Sequence, residues 1–162
     1  MGNDAAAALM AAVVDPSLIT EHTNQLRSTF HPLGARRYIV NWDEVARHLY
    51  GRAERELGRA ADDERAVALM AELRGWAGAA VDRPSRAAGI AADVLLPIHF
   101  RMDGLDLRLF STIMTLGTPQ DVTLQELRIE TFFPADAESE RHWKALRSDC
   151  ELASLGGRRE AP

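Results

Sequence analysis

Asp103-Gly104 dictates the pairing of the chain on either side of it. A two-residue Asp-Gly turn accepts φ > 0 at both central positions, as a tight antiparallel hairpin requires. Folding there sets Met102 opposite Leu105, Phe100 opposite Leu107 and Ile98 opposite Leu109. Directly opposed residues share a face, so these side chains form one apolar surface. The reverse face receives Arg101 opposite Asp106 and His99 opposite Arg108. A slip of one residue would mix the two faces, which specifies the register strongly. Downstream, Gly117-Thr118-Pro119 reads as a turn, and a third strand is expected from about Val122 to Phe133. Its apolar phase shifts between Leu124 and Leu127, implying a bulge near Gln125-Glu126. Pro134 ends that strand, and Asp136 is placed to cap a last helix.

A sheet with one apolar face needs a cover, and the earlier part of the chain supplies it. Ala5 to Val14 is expected to be helical on propensity and to stop before Asp15-Pro16. A short helix is expected from Thr23 to Phe30, broken at His31-Pro32. Asn41 with Glu44 forms a capping-box-like start to a helix running to Leu57 and Gly58. Its apolar stripe is Trp42, Val45, Ala46, Leu49 and Ala53. Asp62 is the expected cap of the next helix, with Ala66, Leu69, Met70 and Leu73 as its stripe and an end near Gly75. The glycines and proline between Gly75 and Ala92 read as a mobile loop. The last helix is expected over Ala137 to Arg147, with a frayed tail from Gly156 to Pro162. Helices first and strands later indicate α+β. At 162 residues the chain suits one domain, expected over residues 1–150, with 151–162 a flexible tail.

Composition excludes several function classes. Hydrophobic residues make up 46% of the chain, enough for a core and too many for global disorder. A formal charge of −5 is the wrong sign for an autonomous nucleic-acid binder. Cys150 is the sole cysteine, so no internal disulfide and no cysteine metal cluster can form. Met1-Gly2-Asn3-Asp4 carries no basic leader, and the longest helical apolar run, near Ala5 to Val14, is too short for a bilayer. A soluble, cytoplasmic protein without membrane association is expected. No GxSxG, Walker or GxGxxG motif occurs, and the histidines lack metal-ligand spacing, so neither a cofactor, a metal nor a catalytic residue is expected.

Three stretches also carry a resemblance. They are Leu107-Arg108-Leu109-Phe110-Ser111-Thr112, Leu116-Gly117-Thr118-Pro119-Gln120-Asp121-Val122-Thr123-Leu124, and Glu126-Leu127-Arg128-Ile129-Glu130-Thr131-Phe132-Phe133-Pro134-Ala135-Asp136. Together they resemble the end of the MmyB-like ligand-binding domain, the C-terminal half of many XRE-family helix-turn-helix transcription regulators in actinobacteria. Asn24-Gln25-Leu26-Arg27 with His31-Pro32, and Arg37-Tyr38-Ile39-Val40-Asn41-Trp42, are similar to the middle of that domain. The resemblance covers about residues 3 to 147. It implies a PAS-like α+β sensory domain with an apolar pocket, serving transcription regulation through a small molecule. Asn3 and Ala5-Ala6-Ala7 resemble the segment joining the two modules in that family. On this reading the chain starts inside the sensory domain, without the helix-turn-helix and without the first strands of the sheet. Direct DNA binding by the chain is therefore not expected.

The candidate site residues are few. Asn24 and Arg27, three apart, could present a polar fork to an anionic head group, or be a helix cap followed by a surface arginine. Trp42, Leu49, Phe100, Leu107, Leu109 and Phe132 could line a pocket for an apolar or lipid-like small molecule, or simply pack the core. His99 beside Arg108 could be a pH-sensitive contact or an exposed cross-strand pair. A homodimer is compatible with these features. The competing function is a small α+β cone enzyme using an Asp/His pair inside an apolar cavity. That reading needs a histidine and a carboxylate on the core face, whereas the hairpin register puts His99 on the reverse face.

Overall fold

The hairpin forms in the register that its turn imposes. In the computed structural model, which describes residues 4–19, 24–57, 63–82, 96–102, 104–115 and 128–156, β1 (Ile98–Met102) pairs antiparallel with β2 (Leu105–Thr115). The partners run from Ile98 with Leu109 to Met102 with Leu105, each as expected. Gly104 takes φ 76°, the left-handed conformation that such a turn demands. β3 (Arg128–Pro134) pairs with the other side of β2, from Leu109 with Pro134 to Thr115 with Arg128. The sheet order is β1-β2-β3. The expected turn at 117–119, the strand start at Val122 and the bulge near Gln125-Glu126 lie outside the described residues.

Six α-helices are present among the described residues, giving an α+β architecture. They are α1 (Asp4–Val13), α2 (Gln25–Phe30), α3 (Trp42–Leu57), α4 (Glu64–Ala77), α5 (Ala79–Asp82) and α6 (Ala137–Gly156). Short 3-10 turns occupy Pro16–Leu18 and Ala35–Tyr38. Leu107 and Leu109 are fully buried and Phe100 nearly so, under Leu9 and Val13 of α1 and Val45 of α3. Trp143 and Leu146 of α6 pack against the same cluster. Each leucine buried in this way contributes about 1.5–3 kcal/mol from its removal from water. A second cluster joins Phe30, Ala46, Leu73, Ala77 and Ala80, which come from α2 to α5.

Four expectations need correction. α4 is capped by Asp63, whose Oδ1 accepts the Arg65 amide at 2.9 Å, rather than by Asp62. α4 also runs through Gly75 to Ala77, because that glycine sits in a continuing helix with open space around it; the helix stops at Gly78, where φ is +56°. Residues 79–82 are then helical instead of loop, and 83–92 lie outside the described residues. α6 continues past Arg147 through residues 151–156, and 157–162 lie outside the described residues. Its start is as expected: Asp136 Oδ1 accepts the Ser139 amide at 2.7 Å.

Asn41 does something that the capping-box reading did not foresee. The Glu44 and Val45 amides reach the Asn41 carbonyl, as at any helix start, but its side chain turns to β1. Asn41 Nδ2 donates to the Pro97 carbonyl at 2.8 Å, and Asn41 Oδ1 accepts the His99 amide at 3.0 Å. The Val40 amide donates to the His99 carbonyl at 2.8 Å, and Ile39 bridges Phe100. This segment closes the outer edge of β1 over its first half, where an open row of amides would invite foreign strands. On the far side, Arg108 is served in the same way. Its amide donates to Ser139 Oγ at 2.9 Å and its carbonyl accepts the Ala135 amide at 2.8 Å. His99 and Arg108 face each other as a pair whose backbone groups point outward, and residues outside the sheet satisfy all four groups.

Candidate ligand site

Alternation along the strands determines what each sheet face can do. Ile98, Phe100, Leu107 and Leu109 point into the helices, while His99, Arg101, Asp106 and Arg108 share the outer face. There, His99 Nε2 donates to Asp106 Oδ1 at 2.7 Å and Arg101 Nε donates to Asp106 Oδ2 at 3.1 Å. Arg108 Nη1 donates to Asp136 Oδ2 at 3.2 Å. The hydrogen bond from His99, assisted by Arg101, holds the Asp106 carboxyl below its ordinary value. His99 thus stands opposite Arg108 in the backbone but bonds the diagonal Asp106, a partner within reach of a long side chain on the same face. His142 Nδ1 donates to the Asp106 carbonyl and ties α6 to this strand.

The core face gathers the apolar candidates. Phe100, Leu107 and Leu109 are part of one buried cluster, and Trp42, Leu49 and Phe132 pack against it. Trp42 and Leu49 also pack against the second cluster, so α3 is the wall between the two cores. A depression of about 360 Å³ opens at the start of α3, lined by Val40, Asn41, Trp42, Asp43 and Glu44. Trp42 is therefore both a wall of this depression and a neighbour of the buried cluster. Arg36 lies over its ring, with the guanidinium carbon 5.0 Å from the centroid, and Phe30 meets it edge-on at 5.1 Å.

Asn24 and Arg27 are placed differently. Asn24 precedes α2 as its cap, its Oδ1 accepting the Arg27 amide at 3.0 Å. The Arg27 guanidinium makes a two-point ion pair with Glu72 of α4, at 2.7 and 3.1 Å. Both residues are exposed, and the structure joins them through the backbone of Arg27 rather than by directing both side chains at one point. The sequence reading missed Arg36 and the side-chain role of Asn41. Their partners, Trp76 and Pro97 with His99, lie 40 to 58 residues away, and no local pattern marks such contacts. Among the described residues no group of three His, Cys, Asp or Glu side chains could hold a metal ion. No described helix is long and apolar enough to cross a membrane.

A helix-covered antiparallel sheet, with apolar side chains converging inside and its ion pairs kept outside, defines an α+β domain built around an internal apolar cluster. The chain belongs to the family described as MmyB-like transcription regulator ligand binding domain, which matches residues 1–146. No DNA-binding domain is matched alongside it. No curated protein and no solved structure matches the chain. The chain is thus a ligand-binding domain of the MmyB-like transcription regulators, a family of regulatory domains.

Proposed function

We propose that this domain senses a small, largely apolar or lipid-like molecule held between the sheet and α3, in a PAS-like arrangement. The observation that carries the reading is the convergence of Trp42, Leu49, Phe100, Leu107, Leu109 and Phe132 on one cluster, with a depression beside Trp42. A ligand entering there would displace Trp42 and take over its apolar contacts. Such a ligand shifts the domain only through its differential affinity for two arrangements, and that shift would bias an attached DNA-binding module. The polar end of an acidic ligand falls to Asn24 and Arg27, with the guanidinium exchanging Glu72 for the ligand anion. The cone-enzyme alternative requires an Asp/His pair inside the core. The His99–Asp106 pair lies on the outer face, which favours the sensory reading.

The test is thermal unfolding and native mass spectrometry of the chain with saturated fatty acids and the matching fatty alcohols. A probe present at a hundred times its Kd stabilises by about 2.7 kcal/mol, or about 5–10 °C in Tm for a domain of this size. Trp42→Phe should weaken both probe classes, whereas Arg27→Ala should weaken only the acids. If no apolar probe is retained or raises Tm, the sensory reading fails. If alcohols and acids respond alike in Arg27→Ala, only the head-group assignment fails.

A further inference from the structure

α4 is bound to the rest of the domain in an uneven way. Its buried residues Leu73 and Ala77 belong to the second cluster, and the helix packs principally on α2, α3 and α5. The sheet belongs to the first cluster, and what the two share is Trp42 and Leu49 of α3. Near its C-terminus, a side chain from the first cluster's 3-10 turn ties α4 across this boundary. Arg36 sits in the 3-10 turn Ala35–Tyr38, whose Ala35 is buried in the first cluster and whose Tyr38 packs on it. Arg36 Nη1 donates to the Trp76 carbonyl, in the last turn of α4, where carbonyls lack a partner within the helix. A cation at that end also complements the helix dipole. The same guanidinium lies over the Trp42 ring, so one residue holds the end of α4 against a residue common to both cores. Trp76 itself rests edge-on against His31, 5.0 Å between centroids.

We propose that α4 and α5 form a unit that opens as one piece from α3 while the sheet stays folded, and that Arg36 is the latch that keeps it shut. Both helices pack in the second cluster, with Phe30 of α2 and Ala46 of α3, so their release leaves Leu107, Leu109 and Phe100 of the first cluster covered by α1 and α6. It uncovers Phe30 and one side of Trp42 and Leu49. Because Trp42 is held by Arg36 on one side and touches the sheet cluster on the other, any movement of its ring changes the hold on α4. The inference depends on the packing and not on the identity of a ligand.

Amide hydrogen exchange of the whole chain, read by mass spectrometry, tests this. Arg36→Ala removes a charge-assisted hydrogen bond and a ring contact, and exchange across residues 64–82 should accelerate about tenfold or more. Exchange across residues 98–109 should change less than about twofold, because a local opening leaves the sheet protected. Arg36→Lys keeps the charge without the planar fork and should fall between the two. Val67→Ala, at an exposed position on the same helix, should leave both regions as they are. Equal acceleration in helix and sheet, or no acceleration in 64–82, overturns the proposal. If Arg36→Ala does not fold, the wild-type chain decides in low urea. Opening of 64–82 must then show a smaller denaturant dependence than opening of 98–109, and a common dependence refutes the separate unit.

Discussion

Replacing Gly34 by alanine should destabilise the domain severely, although alanine accepts the backbone conformation. Gly34 has φ −91° and ψ −163°, an extended geometry open to any residue, so conformational strain is not the cause. The obstacle is space. A Cβ at this position would lie 1.9 Å from the Ser28 carbonyl oxygen, 2.9 Å from its carbon and 3.1 Å from the His31 oxygen. All three atoms are backbone, so no side chain can swing away. Ser28 lies in α2, and the Gly34 amide donates to the His31 carbonyl at 2.8 Å. Relief therefore means separating α2 from the 3-10 turn that follows it. Overpacking in a well-filled core costs about 1–3 kcal/mol. With rigid partners on every side, the upper end, about 3 kcal/mol or more, is expected. That corresponds to a fall in Tm of about 6–12 °C for a domain of this size. Gly75→Ala is the matched control: the same change in the last turn of α4, where the added Cβ meets nothing within 4 Å beyond its own helix. It should stabilise by about 0.5–1 kcal/mol, because glycine loses more freedom on entering a helix. Urea unfolding followed by circular dichroism measures both variants. A Gly34→Ala chain within about 0.5 kcal/mol of wild type would refute the steric argument.

Asn41→Ala should cost about 1–3 kcal/mol through two lost hydrogen bonds to β1 and speed hydrogen exchange at the His99 amide; unchanged exchange there would disprove the edge-closing role. The Asp136 carboxyl is held below its ordinary 3.8, first by the Ser139 amide, then by the Ser139 hydroxyl and Arg108. Its folded value is depressed, so its contribution to stability is present above 3.8 and is lost as the pH falls through the folded value. Asp136→Asn should accordingly flatten the acid limb of a plot of urea midpoint against pH. An acid limb identical to wild type would remove Asp136 from that account. The purified chain should show no sequence-selective shift of DNA at physiological salt, since a net charge of −5 opposes approach to the phosphate backbone; a selective shift would overturn that expectation.

The parts of the fold legible in the sequence are those with a local cause. Alternation about Asp103-Gly104 fixes five residue pairs because each choice of register moves every side chain between faces. The α3 stripe is legible for a similar reason, as helical spacing alone sets Val45, Ala46 and Ala53 inward. The stop of α4 is not legible because two glycines lie three residues apart, and only backbone geometry shows which one takes positive φ. The cap at Asp63 is not legible because Asp62 beside it has the same chemistry. The apolar candidates pack in or against one buried cluster. Asn41 and Arg36 escaped notice because their partners are distant carbonyls and amides, which carry no residue identity for a pattern to register.

The seating of α1 against α6 has a consequence for how the domain is made. Leu9 and Val13 share a cluster with Trp143 and Leu146, so the two ends of the described chain complete one core. During synthesis α1 leaves the ribosome long before α6 exists. At roughly 5–20 residues per second, α1 waits on the order of ten seconds for that partner. The β1–β2 hairpin, whose contacts are local, can pair within microseconds of emerging, yet its apolar face stays half-covered until α6 arrives. The nascent domain therefore carries a standing apolar surface, and the delivery of Trp143 and Leu146 is the event that lets the core close.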